Sequence, residues 1–99
     1  MMLTQQKQAT NQPSGDIVAA TVPELRSSLR DLLASGVRQL ALDLTNVKMV
    51  DSAGLGLLIA THNSLKKVGG QLSVIEASPD VMELLTTMRM HQHFSINGQ

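Results

Sequence analysis

The stretch from Leu40 to Ile75 does most to limit what this chain can fold into. Leu40, Leu42 and Leu44 alternate, and Ala41 makes the opposite face tolerant of burial, which is the period-two pattern of a strand inside a sheet. From Ser52 to Val68 the period becomes helical. Leu55, Leu58, Ile59, His62 and Leu65 follow one face, and Lys66, Lys67 and Gly69-Gly70 form the expected end. Leu72 and Val74, with Ile75, supply another strand. The strand-helix-strand unit so defined is expected to cross over right-handedly.

The flanking segments extend that alternation. Thr21-Val22-Pro23-Glu24 reads as a capping box, in which the Thr21 hydroxyl accepts from the Glu24 amide and Pro23 loses nothing by lacking a donor in a first turn. The helix it opens carries Val22, Leu25, Leu29, Leu32 and Leu33 on one face and is placed to stop at Gly36. Ser78-Pro79-Asp80 opens a third helix with cap, proline and first-turn carboxylate, and its inner face is Val81, Leu84, Leu85 and Met88. Phe94-Ser95-Ile96 adds a last short strand or a plug. The spacing predicts helices near 22–35, 52–68 and 79–88 over a sheet containing 39–44 and 71–76, an α/β arrangement. Residues 1–13 are mostly polar and predict a frayed terminus or one weak strand around Leu3 to Lys7.

Composition narrows the function. With 99 residues, 42% of them apolar, the chain can bury one modest core, and one domain over 14–99 is expected. Lys plus Arg and Asp plus Glu each number 8, so no net field draws the chain toward nucleic acid or an anionic membrane. One Phe with no Trp or Tyr leaves no stacking platform for single strands. No Cys is present, which excludes disulfides and thiolate metal sites. The first residues lack the apolar core of a signal peptide and no apolar run reaches membrane-spanning length, so a cytoplasmic protein without membrane insertion is expected.

The chemistry concentrates at Val50-Asp51-Ser52-Ala53-Gly54-Leu55-Gly56, where a strand-like segment meets the long helix. Two glycines in a first helical turn cost about 1 kcal/mol each relative to Ala, so stability alone does not select Gly54 and Gly56. Lacking Cβ atoms, they let another backbone approach Ser52. The Ser52 hydroxyl is expected where unpaired amides and the positive end of the helix dipole converge, a good seat for a phosphate. Phosphorylation would add about 1.5–2 negative charges beside Asp51 and disrupt an interface packed on these small residues. The plainer alternative is that Asp51 or Ser52 caps the helix and the glycines ease packing on the sheet.

Asp51-Ser52-Ala53-Gly54-Leu55 resembles the Asp-Ser-x-Gly-Leu signature of STAS domains in anti-sigma-factor antagonists. Ser14-Gly15-Asp16-Ile17 with Thr21, Leu25 and Arg26, the strand Leu40 to Leu44, Gly69-Gly70-Gln71-Leu72, Ser78-Pro79 and Leu84-Leu85 extend the likeness over about residues 14–96. The resemblance implies a mixed sheet of about four strands flanked by helices and a binding protein that is not an enzyme and needs no cofactor. It also implies a partner, an anti-sigma factor with serine kinase activity, which is captured by the unphosphorylated protein and released when Ser52 is phosphorylated. A serine phosphatase would reset the switch. Ser52 is then the phosphorylation site, and Asp51, Ser52, Ala53, Gly54 and Gly56 frame the docking surface. Transcription would be the regulated process.

The chain departs from the family pattern in three places. The second acid of the family's Gly-Glu-Leu-Asp segment falls on Val18. Only 13 mostly polar residues precede Ser14, where the family often has two strands, so an exposed sheet edge and self-association as a homodimer are expected. The Gly-Leu that often follows the third helix is Arg89-Met90, leaving that helix without a glycine stop.

The remaining candidates favour structural roles. His91 and His93 have no third metal ligand indicated, His62 reads as a partly buried histidine, and Met82, Met88 and Met90 read as core filling. Ser52-x-Gly54 is half of a nucleophile elbow, but Val50 replaces its first glycine and His62 lies about 15 Å along the same helix at 1.5 Å per residue. A serine hydrolase would need His91 or His93 to fold across to Ser52. A STAS subunit serving as a fixed scaffold in a stress-sensing or lipid-transport assembly is the main alternative to a switch; Val18 favours it and Ser52 opposes it.

Overall fold

The computed structural model describes residues 7–99. In chain order the elements are β1 (Lys7–Asn11), α1 (Val22–Ala34), β2 (Val37–Asp43), α2 (Ser52–Lys67), β3 (Gln71–Ile75), α3 (Pro79–Thr87), a 3-10 turn (Met90–Gln92) and β4 (Ser95–Ile96). The four strands form one sheet in the order β1-β2-β3-β4. The expected weak strand at Leu3 to Lys7 falls outside the described residues except at Lys7, and Lys7–Asn11, placed in the polar segment by sequence, is an edge strand.

Among the described residues all three pairings are parallel, where a mixed sheet was expected. Every connection between neighbouring strands carries a helix, and a helical crossover returns the chain to the end from which it started. The register Gln39↔Gln71, Leu40↔Leu72 and Leu42↔Val74 brings like side chains onto one face. Leu42, Leu72, Val74 and Ile96 are fully buried there and meet Leu29 of α1, Leu58 and Leu65 of α2, and Val81 and Leu85 of α3 in a single core. Burying each such side chain stabilises the fold by roughly 1.5–3 kcal/mol before conformational entropy is set against it. The alternate residues Gln39, Ala41 and Ser73 stay half-buried, so one face of the sheet carries the core.

Three local expectations are corrected by packing. The inner face of α2 is Gly54, Leu57, Leu58, Thr61 and Leu65, whereas Leu55, Ile59 and His62 are only half-buried. Apolar residues surround the first turns of this helix, so periodicity leaves its phase open, and the inward placement of Gly54 decides it. Thr61 is accommodated because its hydroxyl donates to the Leu57 carbonyl at 2.8 Å. The capping box at α1 does not form. Thr21 has helical backbone angles, and its hydroxyl accepts from the Val18 amide and donates to the Asp16 carbonyl, tying the preceding loop instead of the helix. In α3, Val81 and Leu85 are buried but Met88 is 49% exposed, because the helix ends at Thr87 and the chain turns away; Met90 enters the core in its place.

That turn is made by Arg89, whose φ of 60° and ψ of 28° lie in the left-handed region usually taken by glycine. The missing glycine stop is therefore supplied by a residue that adopts the same conformation at a steric cost of roughly 1–2 kcal/mol. Arg89→Gly should raise the unfolding free energy in urea by about 0.5–1 kcal/mol, the relief being partly offset by the freer unfolded chain. A destabilised variant would show that the arginine side chain contributes more than its backbone costs.

Candidate functional site

Because the strands are parallel and each helix runs back over them, all three helices begin at the end of the sheet where β1, β2 and β3 finish. Crevices beyond the carboxyl ends of parallel strands are the usual binding location in open α/β sheets. Ser52 opens α2 at that end and is exposed.

Two loops meet beneath it. Ile17 and Val50 form an isolated parallel bridge, with the Ile17 amide donating to the Met49 carbonyl at 3.0 Å and the Asp51 amide donating to the Ile17 carbonyl at 3.2 Å. Carboxylates lock the bridge from both sides. Asp16 Oδ1 accepts from the Lys48 and Met49 amides at 2.8 and 3.0 Å. Asp51 Oδ2 accepts from the Ala19 amide at 2.9 Å, while its Oδ1 caps α2 by accepting from the Gly54 amide at 2.9 Å. The Gly54 amide first, and then the Ala19 amide, hold the Asp51 carboxyl below the usual carboxylate range, because both bonds favour the ionised form.

The sequence left two residues as possible caps, and the structure gives the role to Asp51. Ser52 is the first helical residue, and its hydroxyl has no hydrogen-bond partner among the described residues. Ala53 is half-buried and Gly56 is exposed with open space where a Cβ would project. Gly54 differs from the expectation that it admits an incoming backbone. The backbone close to it belongs to the chain itself: a Cβ at 54 would overlap the Ile17 carbonyl oxygen and come within 2.8 Å of Val50 Cγ1. The site thus has Asp51, Ser52, Ala53 and Gly56 toward its surface and Gly54 underneath.

Sequence reasoning overlooked Asp16 and Ala19 as partners of the motif. Val18, where the family's second acid would stand, immediately precedes the amide on Asp51. Of the two histidines a hydrolase would draw on, His93 packs against His62, ten residues along α2 from Ser52, with ring centroids 5.7 Å apart, and His62 also meets the Phe94 ring at 6.1 Å. His62 is held below its usual pKa by desolvation first and then by His93 and Lys66. Among the described residues no group of three or more potential metal ligands lies together, and no helix is long and apolar enough to cross a membrane.

The depressed Asp51 pKa has a defined sign in stability. Its contribution is fully present above the unfolded-state value of 3.8 and is lost as pH falls through the lower folded-state value. Asp51→Asn should flatten the stability profile below about pH 4, where this carboxylate titrates, and lower stability at neutral pH, since an amide nitrogen cannot accept from Ala19. Unfolding curves across pH that superimpose for the two proteins after a constant offset would contradict this.

The comparisons agree with the geometry. A family model described as the STAS domain matches residues 3–98. An anti-sigma-B factor antagonist of Staphylococcus aureus is 29% identical over 94 residues, covering 95% of this chain and 87% of that protein. The fold matches an anti-sigma factor antagonist from Mycobacterium paratuberculosis with a TM-score of 0.81 at 23% identity, over 100% of this chain and 84% of that one. It also matches the unphosphorylated anti-sigma factor antagonist SpoIIAA with a TM-score of 0.71 at 15% identity, over 95% and 83% of the two chains. By its sequence match along nearly its whole length and by its fold, this chain belongs to the STAS domain family.

Proposed function

We propose that this protein is an anti-sigma factor antagonist that binds an anti-sigma factor through the Ser52 end of the sheet and releases it when Ser52 is phosphorylated. The observation that carries the reading is the state of Ser52: exposed, at the first position of α2, its hydroxyl unspent while Asp51 does the capping. A hydroxyl needed for structure makes a poor switch, because modifying it unfolds its own site. Here the modification leaves the cap in place. The relatives named above support the partner class, and the Bacillus protein SpoIIAA, known in unphosphorylated and phosphorylated forms, supports the chemistry of the switch.

The kinase activity is assigned to the anti-sigma factor and the resetting step to a serine phosphatase, so this chain needs neither a catalytic group nor a cofactor of its own. Release follows from charge and volume. A phosphate on Ser52 stands one residue from the ionised Asp51, on a surface of small residues, Ala53 and Gly56, against which a partner packs closely. The added dianion must either be desolvated beside that carboxylate or push the partner away. Asp51, Ala53 and Gly56 act as the rim of the contact, with Gly54 setting the depth at which the first turn sits.

Ser52→Ala should leave stability within about 0.5 kcal/mol of wild type, since no hydrogen bond is lost, and should retain partner binding. Ser52→Asp should also stay folded, as a carboxylate suits a helix N-terminus, but should weaken binding by about tenfold or more. Thermal melts combined with calorimetric titration against a purified anti-sigma factor separate the two effects. Equal affinity for all three proteins would remove Ser52 from the mechanism and leave a fixed scaffold as the better reading.

A further inference from the structure

Only Met49, Val68 and Met88 are large apolar side chains left exposed among the described residues, at 58%, 47% and 49%. Val68 and Met88 cap the C-terminal ends of α2 and α3, at the end of the sheet opposite Ser52. Met49 stands at the Ser52 end. A single exposed apolar side chain is ordinary on a protein surface, so exposure alone decides nothing. What sets Met49 apart is how it is held.

Both main-chain polar groups of Met49 are fixed by the clamp beneath the site: its amide donates to Asp16 Oδ1 at 3.0 Å, and its carbonyl accepts from the Ile17 amide at 3.0 Å. The next residue, Val50, is 4% exposed and pairs with Ile17, so the chain alternates and Met49 is directed outward while Val50 is directed into the core. Asp51 is also extended, with φ −94° and ψ −173°. Three residues of extended chain place the Cα atoms of Met49 and Ser52 about 10 Å apart at ~3.3 Å per residue, within one partner footprint of about 800 Å². The backbone of Met49 therefore has little freedom left to lose on binding, and its thioether adapts to an irregular apolar pocket. Anchors of protein contacts have this character: an apolar side chain on a rigid support at the centre of a polar rim.

We infer that Met49 is the apolar anchor of the partner contact, inserting into an apolar depression on the anti-sigma factor beside the place that receives Ser52. This rests on the proposed function above and adds to it a binding residue. Ser52 reports the phosphorylation state, and Met49 supplies the apolar contact that holds the anti-sigma factor. The Asp16 carboxylate acts through Met49 as a positioning residue.

The test is a calorimetric titration of a purified anti-sigma factor with wild type, Ser52→Asp, Met49→Ala, Met49→Leu and, as a surface control, Met88→Ala. Met49→Ala should bind about tenfold or more weakly with an unchanged melting temperature, Met49→Leu should recover to within about threefold, and Met88→Ala should match wild type. If Ser52→Asp binds weakly while Met49→Ala binds as wild type does, the anchor is wrong and the switch stands. Equal losses for Met49→Ala and Met88→Ala would also overturn it, as a general effect of surface hydrophobicity. Should the wild-type chain bind no anti-sigma factor at all, the proposed function falls and takes the anchor with it.

Discussion

Asp16 and Asp51 accept backbone amides from each other's segments, and that exchange fixes where α2 begins. Asp16 takes the amides of Lys48 and Met49, Asp51 takes that of Ala19, and the Ile17 carbonyl is pressed onto the first turn of the helix at Gly54. The two segments are over 30 residues apart in sequence, and neither has regular secondary structure of its own at this point. The exchange reinforces the Ile17–Val50 bridge and the Thr21 bonds in holding the loop before α1 over the sheet. With it, the phase of α2 is set, Leu58 and Leu65 are turned into the core, and Ser52 is turned out. One set of charge-assisted hydrogen bonds thus serves both packing and presentation.

The parallel sheet gives this arrangement its polarity. All helices start at one end, so Glu24 and Asp80 lie in first turns and Asp51 caps α2, while Lys66 and Lys67 lie where α2 finishes. Lys7 reaches the Ser35 carbonyl and Arg38 the Leu33 carbonyl at the end of α1. The helix dipole favours these placements, whereas Asp31 in the last turn of α1 stands against it. The formal net charge of zero therefore conceals an uneven distribution, with Glu24, Asp51 and Asp80 at the heads of the helices beside only Lys48 in the clamp, and Lys66 and Lys67 at the far end of α2. A phosphate added to Ser52 would stand beside the Asp51 carboxylate at the head of α2, which is the ground for reading its effect as release.

Much of this was visible in the sequence, for identifiable reasons. The alternation at Leu40, Leu42 and Leu44, the helical run after Ser52 and the Ser78-Pro79-Asp80 start each follow a local period or capping rule, and each element formed within a residue or two of its expected bounds. Local rules failed where a distant partner decided the outcome. Thr21 lost its capping role to the loop at Asp16 and Val18, Leu55 and Ile59 yielded the inner face of α2 to Leu57 and Thr61, and Met88 yielded its place to Met90. The strand Lys7–Asn11 has almost no apolar alternation to announce it, because it lies at an edge. At the site, the motif Asp51-Ser52 was legible, but the acceptance of the Ala19 amide by Asp51 was not, since an amide donor leaves no trace in residue type.

The central claim is that Ser52 is free to carry a phosphate because Asp51 has taken over the structural work at the head of α2. The most direct measurement is to incubate the purified chain with an anti-sigma factor kinase and ATP, map the modified residue by mass spectrometry, and follow the complex by size-exclusion chromatography. The account predicts one phosphate per chain, on Ser52, absent in Ser52→Ala, with the complex dissociating as the modification proceeds and the fold unchanged. A phosphate on another residue, or a Ser52-phosphorylated chain that remains bound to its partner, would contradict it.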